Sequence, residues 1–203
     1  MTKIKLCGLS RPCDIEWANE LLPEYIGFVF WEKSKRYISF DKAKILKGNL
    51  SDSIKAVGVF VNEDVNTVAK LLNDRIIDIA QLHGNEDEEY IKSLRALTDK
   101  KIIQAFRIKS KEDAAKAERS SANLILLDAG MGDGRAFDHE LVKEIKRDFF
   151  LAGGLESDNV SEAVNAIRPF AVDVSSGIET DGYKDKNKMT QFVSAVRNTS
   201  KER

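Results

Sequence analysis

Short runs rich in β-branched residues alternate with helical patterns along the chain, and this alternation restricts its fold more than any other feature. The predicted strands are Ile4–Leu9, Tyr25–Phe30, Ile54–Val61, Asp78–His83, Lys101–Ile108, Asn123–Asp128, Phe149–Gly153 and Ala171–Ser175. The predicted helices are Cys13–Leu22, Asp41–Leu50, Val65–Asp74, Asp87–Leu97, Lys111–Arg119, Asp138–Lys146, Asn159–Ile167 and Lys188–Arg197. Each strand is followed by its own helix, which is typical of repeated βα units on a parallel sheet.

Eight βα units in one uninterrupted chain favour a closed barrel. Several strands are almost continuously apolar, as in Leu124–Leu127, which is expected of strands that are covered on both faces. An open, doubly wound sheet is the alternative, but the first βα turn, Cys7–Arg11, lacks the G-x-G-x-x-G pattern of a dinucleotide binder. We therefore predict an α/β protein, a single (β/α)8 TIM barrel with short loops that forms one domain over residues 1–203.

Charge and composition exclude several classes of partner. The 32 Lys and Arg residues nearly balance the 33 Asp and Glu residues, so the net charge of −1 provides no basic field for nucleic acid or an anionic membrane. No apolar stretch has the length of a membrane span, and the N-terminus lacks the apolar region of a secretory signal. Cys7 and Cys13 lack C-x-x-C spacing, so both are expected to be reduced thiols. We expect a cytoplasmic protein without a nucleic-acid or membrane partner.

Cys7 and Asp128 are the candidate acid/base pair. Active sites of barrels lie at the carboxyl ends of the strands, and these two residues are placed at the ends of the first and sixth predicted strands. A thiolate can remove a proton from carbon, and a neutral carboxylic acid can protonate a leaving oxygen. The alternatives are that Cys7 is a small buried hydrophobic residue and that Asp128 caps a loop.

The ends of the last two strands are candidates for a phosphate site. Gly153-Gly154 lets the backbone approach a ligand without interference from a Cβ atom. Ser176-Gly177-Ile178-Glu179 follows the eighth strand and could begin a short extra helix whose N–H groups face an anion. Barrels often bind phosphate at these two loops, although both segments could instead be tight turns.

Two further residues are candidates for the pocket. Arg36 can hold a carboxylate through two hydrogen bonds, but its neighbours Lys33 and Lys35 are equally consistent with a solvated surface loop. His83 ends an apolar strand and either borders the pocket or serves as a hydrogen-bonded wall. No second histidine lies at metal-ligand spacing, so no metal site is predicted.

An ordered series of motifs resembles the phosphoribosylanthranilate isomerase family of tryptophan biosynthesis along nearly the whole chain. The motifs are Lys5-Leu6-Cys7-Gly8-Leu9, Gly27-Phe28-Val29-Phe30, Ser34-Lys35-Arg36-Tyr37-Ile38-Ser39, Val57-Gly58-Val59-Phe60-Val61-Asn62, Gln81-Leu82-His83-Gly84, Leu151-Ala152-Gly153-Gly154-Leu155 and Val172-Asp173-Val174-Ser175-Ser176-Gly177-Ile178-Glu179. Each motif is weak alone, but their order along a predicted barrel is specific.

The resemblance implies an Amadori rearrangement of N-(5-phosphoribosyl)anthranilate, without a cofactor or metal. Asp128 would protonate the ribose ring oxygen, and Cys7 would take the C2′ proton. Arg36 would bind the anthranilate carboxylate, and His83 would border the anthranilate pocket. The residues implied in phosphate binding are Gly153, Gly154, Ser175, Ser176 and Gly177. The partner would be a small phosphosugar, and the chain would be a monomer or a homodimer.

The loop after the sixth strand departs from the family pattern. The family reads G-G-S/T-G-x-x-F-x-W, whereas this chain has no hydroxyl residue over Gly132–His139, is one residue shorter and carries His139 in place of Trp. Asp133 would repel a phosphate, so we expect it to point outward.

Two other functions remain open at this point. The histidine-pathway isomerase performs the same rearrangement, but it has a two-Asp design with two similar half-barrels, and Cys7 and the absence of visible half-repeats argue against it. A phosphosugar-binding barrel without catalysis would not need Cys7 and Asp128 together.

Overall fold

The computed structural model describes residues 1–128, 141–142 and 145–201, over which strands and helices alternate. The first eight strands are β1 (Lys3–Cys7), β2 (Tyr25–Val29), β3 (Lys55–Phe60), β4 (Ile79–Leu82), β5 (Lys101–Arg107), β6 (Leu124–Asp128), β7 (Phe149–Ala152) and β8 (Ala171–Val174). The helices are α1 (Pro12–Leu21), α2 (Phe40–Gly48), α3 (Val65–Asn73), α4 (Glu88–Leu97), α5 (Lys111–Arg119), α6 (Val160–Ile167) and α7 (Lys186–Lys201). Every predicted strand is present to within two residues at each end. The helix predicted over Asp138–Lys146 and the atypical loop Gly132–His139 fall mainly or wholly outside the described residues.

The strands close into a barrel. They pair in chain order from β1 to β8, and β8 returns to pair with β1 in parallel, with Lys5 opposite Asp173. The predicted barrel is therefore confirmed, and the doubly wound sheet, which leaves two open edges, is excluded.

Apolar side chains fill both faces of the barrel wall. The larger cluster lies between strands and helices, with Leu6, Phe28 and Phe60 all fully buried. A second cluster fills the interior and includes Val57, Ile103 and Phe150. Because the interior is packed at this level, the side chains at the carboxyl ends of the strands form the floor of any cavity above it. No helix among the described residues is long and apolar enough to cross a membrane.

A small hairpin follows the eighth strand at the same end of the barrel. A 3-10 turn at Ser176–Ile178 leads into β9 (Glu179–Thr180), which pairs antiparallel with β10 (Tyr183–Lys184). Asp181 and Gly182 between them both have positive φ, 51° and 80°, as a two-residue type I′ turn requires. This hairpin was not predicted from the sequence, although Asp-Gly is a known hairpin signal.

Candidate active site

A polar cavity of about 280 Å³ lies at the carboxyl ends of the barrel strands. The described residues that line it are Cys7, Val29, Ser34, Arg36, Val59, Gln81, His83, Asp128, Ala152, Gly153, Gly154, Leu155, Asp173, Val174, Ser175 and Ser176. All of the site residues predicted from the sequence are in this set except Gly177. Cys7 on β1 and Asp128 on β6 thus face one cavity from well-separated strands.

Cys7 is recessed at the base of this cavity. Its residue is 7% exposed, and Gly27 on β2 makes room for its sulfur, because a Cβ atom at Gly27 would lie 2.6 Å from Sγ. Ser175 Oγ donates a hydrogen bond of 3.1 Å to the Cys7 carbonyl, which ties the end of β1 to the end of β8. Burial raises the pKa of the Cys7 thiol, while the ammonium groups of Lys5 and Lys184 act against that rise. The thiol is therefore reachable from the cavity but poorly solvated.

Asp128 shares its side of the cavity with His83 and Gln81. His83 Nε2 lies 3.9 Å from Asp128 Oδ2, and His83 Nδ1 lies 2.9 Å from Gln81 Nε2. Desolvation lowers the pKa of His83, although the Asp128 carboxylate opposes it, so the ring is neutral at neutral pH. Gln81 is 1% exposed, and its Oε1 has no hydrogen-bond partner among the described residues. Gln81 was not predicted as a site residue, although it lies two positions before His83 and residues two apart on a strand share a face.

The loops after β7 and β8 bring backbone to the cavity. Gly153 and Gly154 adopt φ values of 100° and 62°, a region that glycine enters without steric cost. Ser176 begins the predicted short helical turn and lines the cavity. Gly177 lies behind it, where a Cβ atom would overlap the carbonyl oxygen of Leu155. Glycine at position 177 therefore allows the two loops to pack together.

Arg36 differs from the charged residues around it. Lys33 and Lys35 are exposed, whereas Arg36 turns toward the cavity, so the surface interpretation applies only to the two lysines. Its Nε and Nη2 atoms donate to Glu179 Oε1 and Oε2 at 2.6 and 2.7 Å. Glu179 also accepts from Lys184 Nζ at 2.6 Å. A substrate carboxylate would therefore meet the remaining edge of a guanidinium that is already held in place.

A buried ion pair lies next to the cavity floor. Lys5 is 0% exposed, and its Nζ donates to Asp173 Oδ1 at 2.8 Å. Both residues belong to sequence motifs named above, but no role was predicted for either of them. The available signal was a lysine inside an otherwise apolar strand, which needs a buried partner.

The closed barrel of eight parallel strands, with an acid/base-capable cavity at their carboxyl ends, defines the class of (β/α)8-barrel enzymes that act on small molecules. A family model described as N-(5'phosphoribosyl)anthranilate (PRA) isomerase matches residues 4–195. The chain belongs to this family.

Relatives and solved structures agree with that assignment. The N-(5'-phosphoribosyl)anthranilate isomerase of Thermoanaerobacter sp. (strain X514) is 45% identical over 204 residues, which cover 97% of this chain and 98% of the relative. A crystal structure of phosphoribosyl anthranilate isomerase in complex with reduced 1-(o-carboxyphenylamino)-1-deoxyribulose 5-phosphate has a TM-score of 0.87 at 33% identity, covering 98% of this chain and 100% of that one. Monomers generated from the dimeric enzyme of Thermotoga maritima have the same TM-score of 0.87, identity of 33% and coverage of 98% and 100%.

Proposed function

We propose that this chain catalyses the Amadori rearrangement of N-(5'-phosphoribosyl)anthranilate to 1-(2-carboxyphenylamino)-1-deoxyribulose 5-phosphate in tryptophan biosynthesis, with Asp128 as general acid and Cys7 as general base. The observation that carries the proposal is that Cys7 and Asp128 line one cavity from β1 and β6, which are three strands apart around the barrel. A sugar between them can be protonated on one side and deprotonated on the other.

The first step needs an acid. The Asp128 carboxylic acid gives its proton to the ribose ring oxygen while the bond between that oxygen and C1′ breaks, and the anthranilate nitrogen supplies the electron pair that forms the Schiff base. Asp128 is then a carboxylate. Gln81 Nε2 donates to His83 Nδ1, so the neutral imidazole carries its hydrogen on Nε2 and can donate it to an oxygen of Asp128, whether that carboxyl group is protonated or ionised.

The second step needs a base. The Cys7 thiolate removes the proton from C2′, and the C–H electron pair forms the C1′=C2′ bond while the nitrogen becomes neutral. The resulting enolamine tautomerises to the ketone. The hydrogen removed from C2′ is balanced by one gained at C1′, so the isomerisation is redox-neutral overall, and we propose that it uses neither a cofactor nor a metal.

The remaining cavity residues are proposed to hold the two ends of the substrate. The phosphate would bind the backbone of Gly153, Gly154, Ser175, Ser176 and Gly177. The first four of these residues line the cavity, and Gly153 and Gly154 have positive φ. The anthranilate carboxylate would bind Arg36, and His83 would border the aromatic ring. We also propose a cytoplasmic monomer or homodimer, since one relative is described as dimeric.

Turnover of the purified chain tests the function. Addition of N-(5'-phosphoribosyl)anthranilate should lead to loss of anthranilate-type fluorescence. Absence of turnover by folded protein would contradict the proposal, and conversion of the aminoimidazole substrate of histidine biosynthesis would favour the alternative isomerase. Calorimetric binding of the phosphosugar without turnover would indicate a binding protein.

Two substitutions test the assigned roles. Cys7→Ala and Asp128→Asn should each reduce kcat by about two or more orders of magnitude, the range expected for general acid and base groups. Cys13→Ser is the matched control, because its sulfur lies 3.8 Å from Asp14 on α1 and outside the residues that line the cavity. A wild-type kcat in either active-site variant would remove that residue from the mechanism.

A further inference from the structure

Lys5 is a charged side chain in a part of the barrel where apolar residues are usual. It lies two positions before Cys7 on β1, so both side chains point to the barrel interior. The strand register places Lys5 opposite Asp173 on β8, and their 2.8 Å ion pair has a lysine side chain that is 0% exposed and an aspartate side chain that is 9% exposed. The pair therefore lies directly below the thiol that lines the cavity.

Stability alone does not account for this pair. Barrel interiors are filled mainly by bulky branched residues, and a buried ion pair can often be replaced by apolar residues at no loss of stability. Lys5 nevertheless stays charged: burial lowers its pKa, but Asp173 and Cys7 together more than offset that effect. Stability does not explain a permanent positive charge at this position, so we expect its role to lie in the reaction at the cavity.

Cys7 faces charges from several elements. The described groups are Lys5 on β1, Asp173 on β8, Lys184 on β10, Arg36 after β2, and Asp128 and His83 across the cavity. Lys184 is bonded to Glu179 and to the Ser175 carbonyl, and Arg36 is bonded to Glu179. Of the charges that act on the Cys7 thiol, Lys5 is the strongest that lowers its pKa.

We propose that Lys5 is a positioning residue for the catalytic base: its ammonium group, held by Asp173, stabilises the thiolate of Cys7 under the substrate. This inference rests on the proposed role of Cys7. Lys5 keeps its proton throughout, and the only proton that reaches the sulfur comes from C2′. Asp173 fixes the direction of the lysine side chain and keeps it charged.

Titration of the thiol tests the proposal separately from turnover. The variants are Lys5→Met and the double variant Lys5→Met/Asp173→Asn, both in a Cys13→Ser background so that Cys7 is the only thiol. The thiolate is followed by its ultraviolet absorbance and by the rate of iodoacetamide alkylation as functions of pH. Lys47→Met is the matched control, because Lys47 pairs with Asp78 at 2.6 Å next to the start of β4, at the opposite end of the barrel.

Loss of the Lys5 charge should lower the fraction of Cys7 that is present as thiolate. At a fixed pH below the thiol titration, Lys5→Met should contain at least about tenfold less thiolate and show at least about tenfold lower kcat, with KM nearly unchanged and the acidic limb of the kcat profile moved to higher pH. The double variant should lie between wild type and Lys5→Met, because Asp173 itself disfavours the thiolate. Lys47→Met should titrate as wild type.

An unchanged thiol titration in either Lys5 variant would overturn the proposal, even if kcat fell, because a merely structural role would not move the titration. If Lys5→Met does not fold, the thiol titration of the charge-neutral double variant tests the proposal instead. Failure of the proposed function would look different: Cys7→Ala would keep its activity, whatever the thiol titration of the Lys5 variants.

Discussion

Gly27 provides the space in which the sulfur of Cys7 lies, so Gly27→Ala should displace the proposed catalytic base without removing it. The added methyl group would be 2.6 Å from Cys7 Sγ and 3.1 Å from Cys7 Cα, and a Cβ contact shorter than 3.0 Å is not sustained. The backbone cannot easily yield, because Gly8 N and Leu9 N both donate to the Gly27 carbonyl, at 2.8 and 3.1 Å. The sulfur must therefore move. Overpacking of this kind costs about 1–3 kcal/mol of stability.

The expected result is a loss of kcat of roughly 100-fold, since misplacement of a reacting group by about 1 Å can have that effect. KM should change little, because the loops that we propose to bind phosphate follow β7 and β8. Steady-state kinetics and urea unfolding measure the two effects. Gly48→Ala at the end of α2 is the matched control, because its added methyl group meets no atom within 4 Å. A folded Gly27→Ala variant with the kcat of wild type would refute the reasoning.

The other interactions at the cavity lead to two further expectations. Glu179→Gln should lower the free energy of unfolding at neutral pH and make it decline less in acid. Burial raises the pKa of Glu179, but the hydrogen bonds from Arg36 and Lys184 outweigh burial, so the net pKa is below the ordinary 4.5. The ionised group therefore stabilises the fold above pH 4.5, and this stabilisation is lost as the pH falls through the lowered pKa. Urea unfolding at a series of pH values measures this, and parallel curves for variant and wild type would contradict it. Gln81→Leu should raise KM or lower kcat by roughly tenfold, because His83 loses its 2.9 Å hydrogen-bond partner. The free energy of unfolding should change by less than about 1 kcal/mol, because Gln81 Oε1 makes no hydrogen bond among the described residues. Unaltered kinetics together with a large loss of stability would mean that Gln81 serves only the fold.

Sequence patterns were sufficient to predict the barrel because these patterns are local. A buried parallel strand and an amphipathic helix each have a period that neighbouring residues display, and Leu124–Asp128 and Lys111–Arg119 were recognised in this way. Because Cys7 and Asp128 were placed at the carboxyl ends of strands, both were expected to lie at the same end of the barrel. The hairpin of β9 and β10 was missed because strands of two residues are too short to show a period.

The partners of charged residues could not be read from the sequence. Arg36 and Glu179 are 143 positions apart, and Lys5 and Asp173 are 168 positions apart. Their contacts exist only because the eighth strand returns to the first, and because the hairpin after it brings Glu179 to Arg36. Judged from the sequence, many carboxylates in the chain could have formed the ion pair with Arg36 or with Lys5.

The amino-acid order by itself determined the alternation of strands and helices and the chemistry at the strand ends, since both depend on neighbours along the chain. Closure of the barrel decided which buried charges meet, how much room Gly27 leaves for the sulfur of Cys7, and why position 177 is glycine. Those properties depend on distances between atoms that are remote in sequence, and only packing of the complete barrel sets such distances.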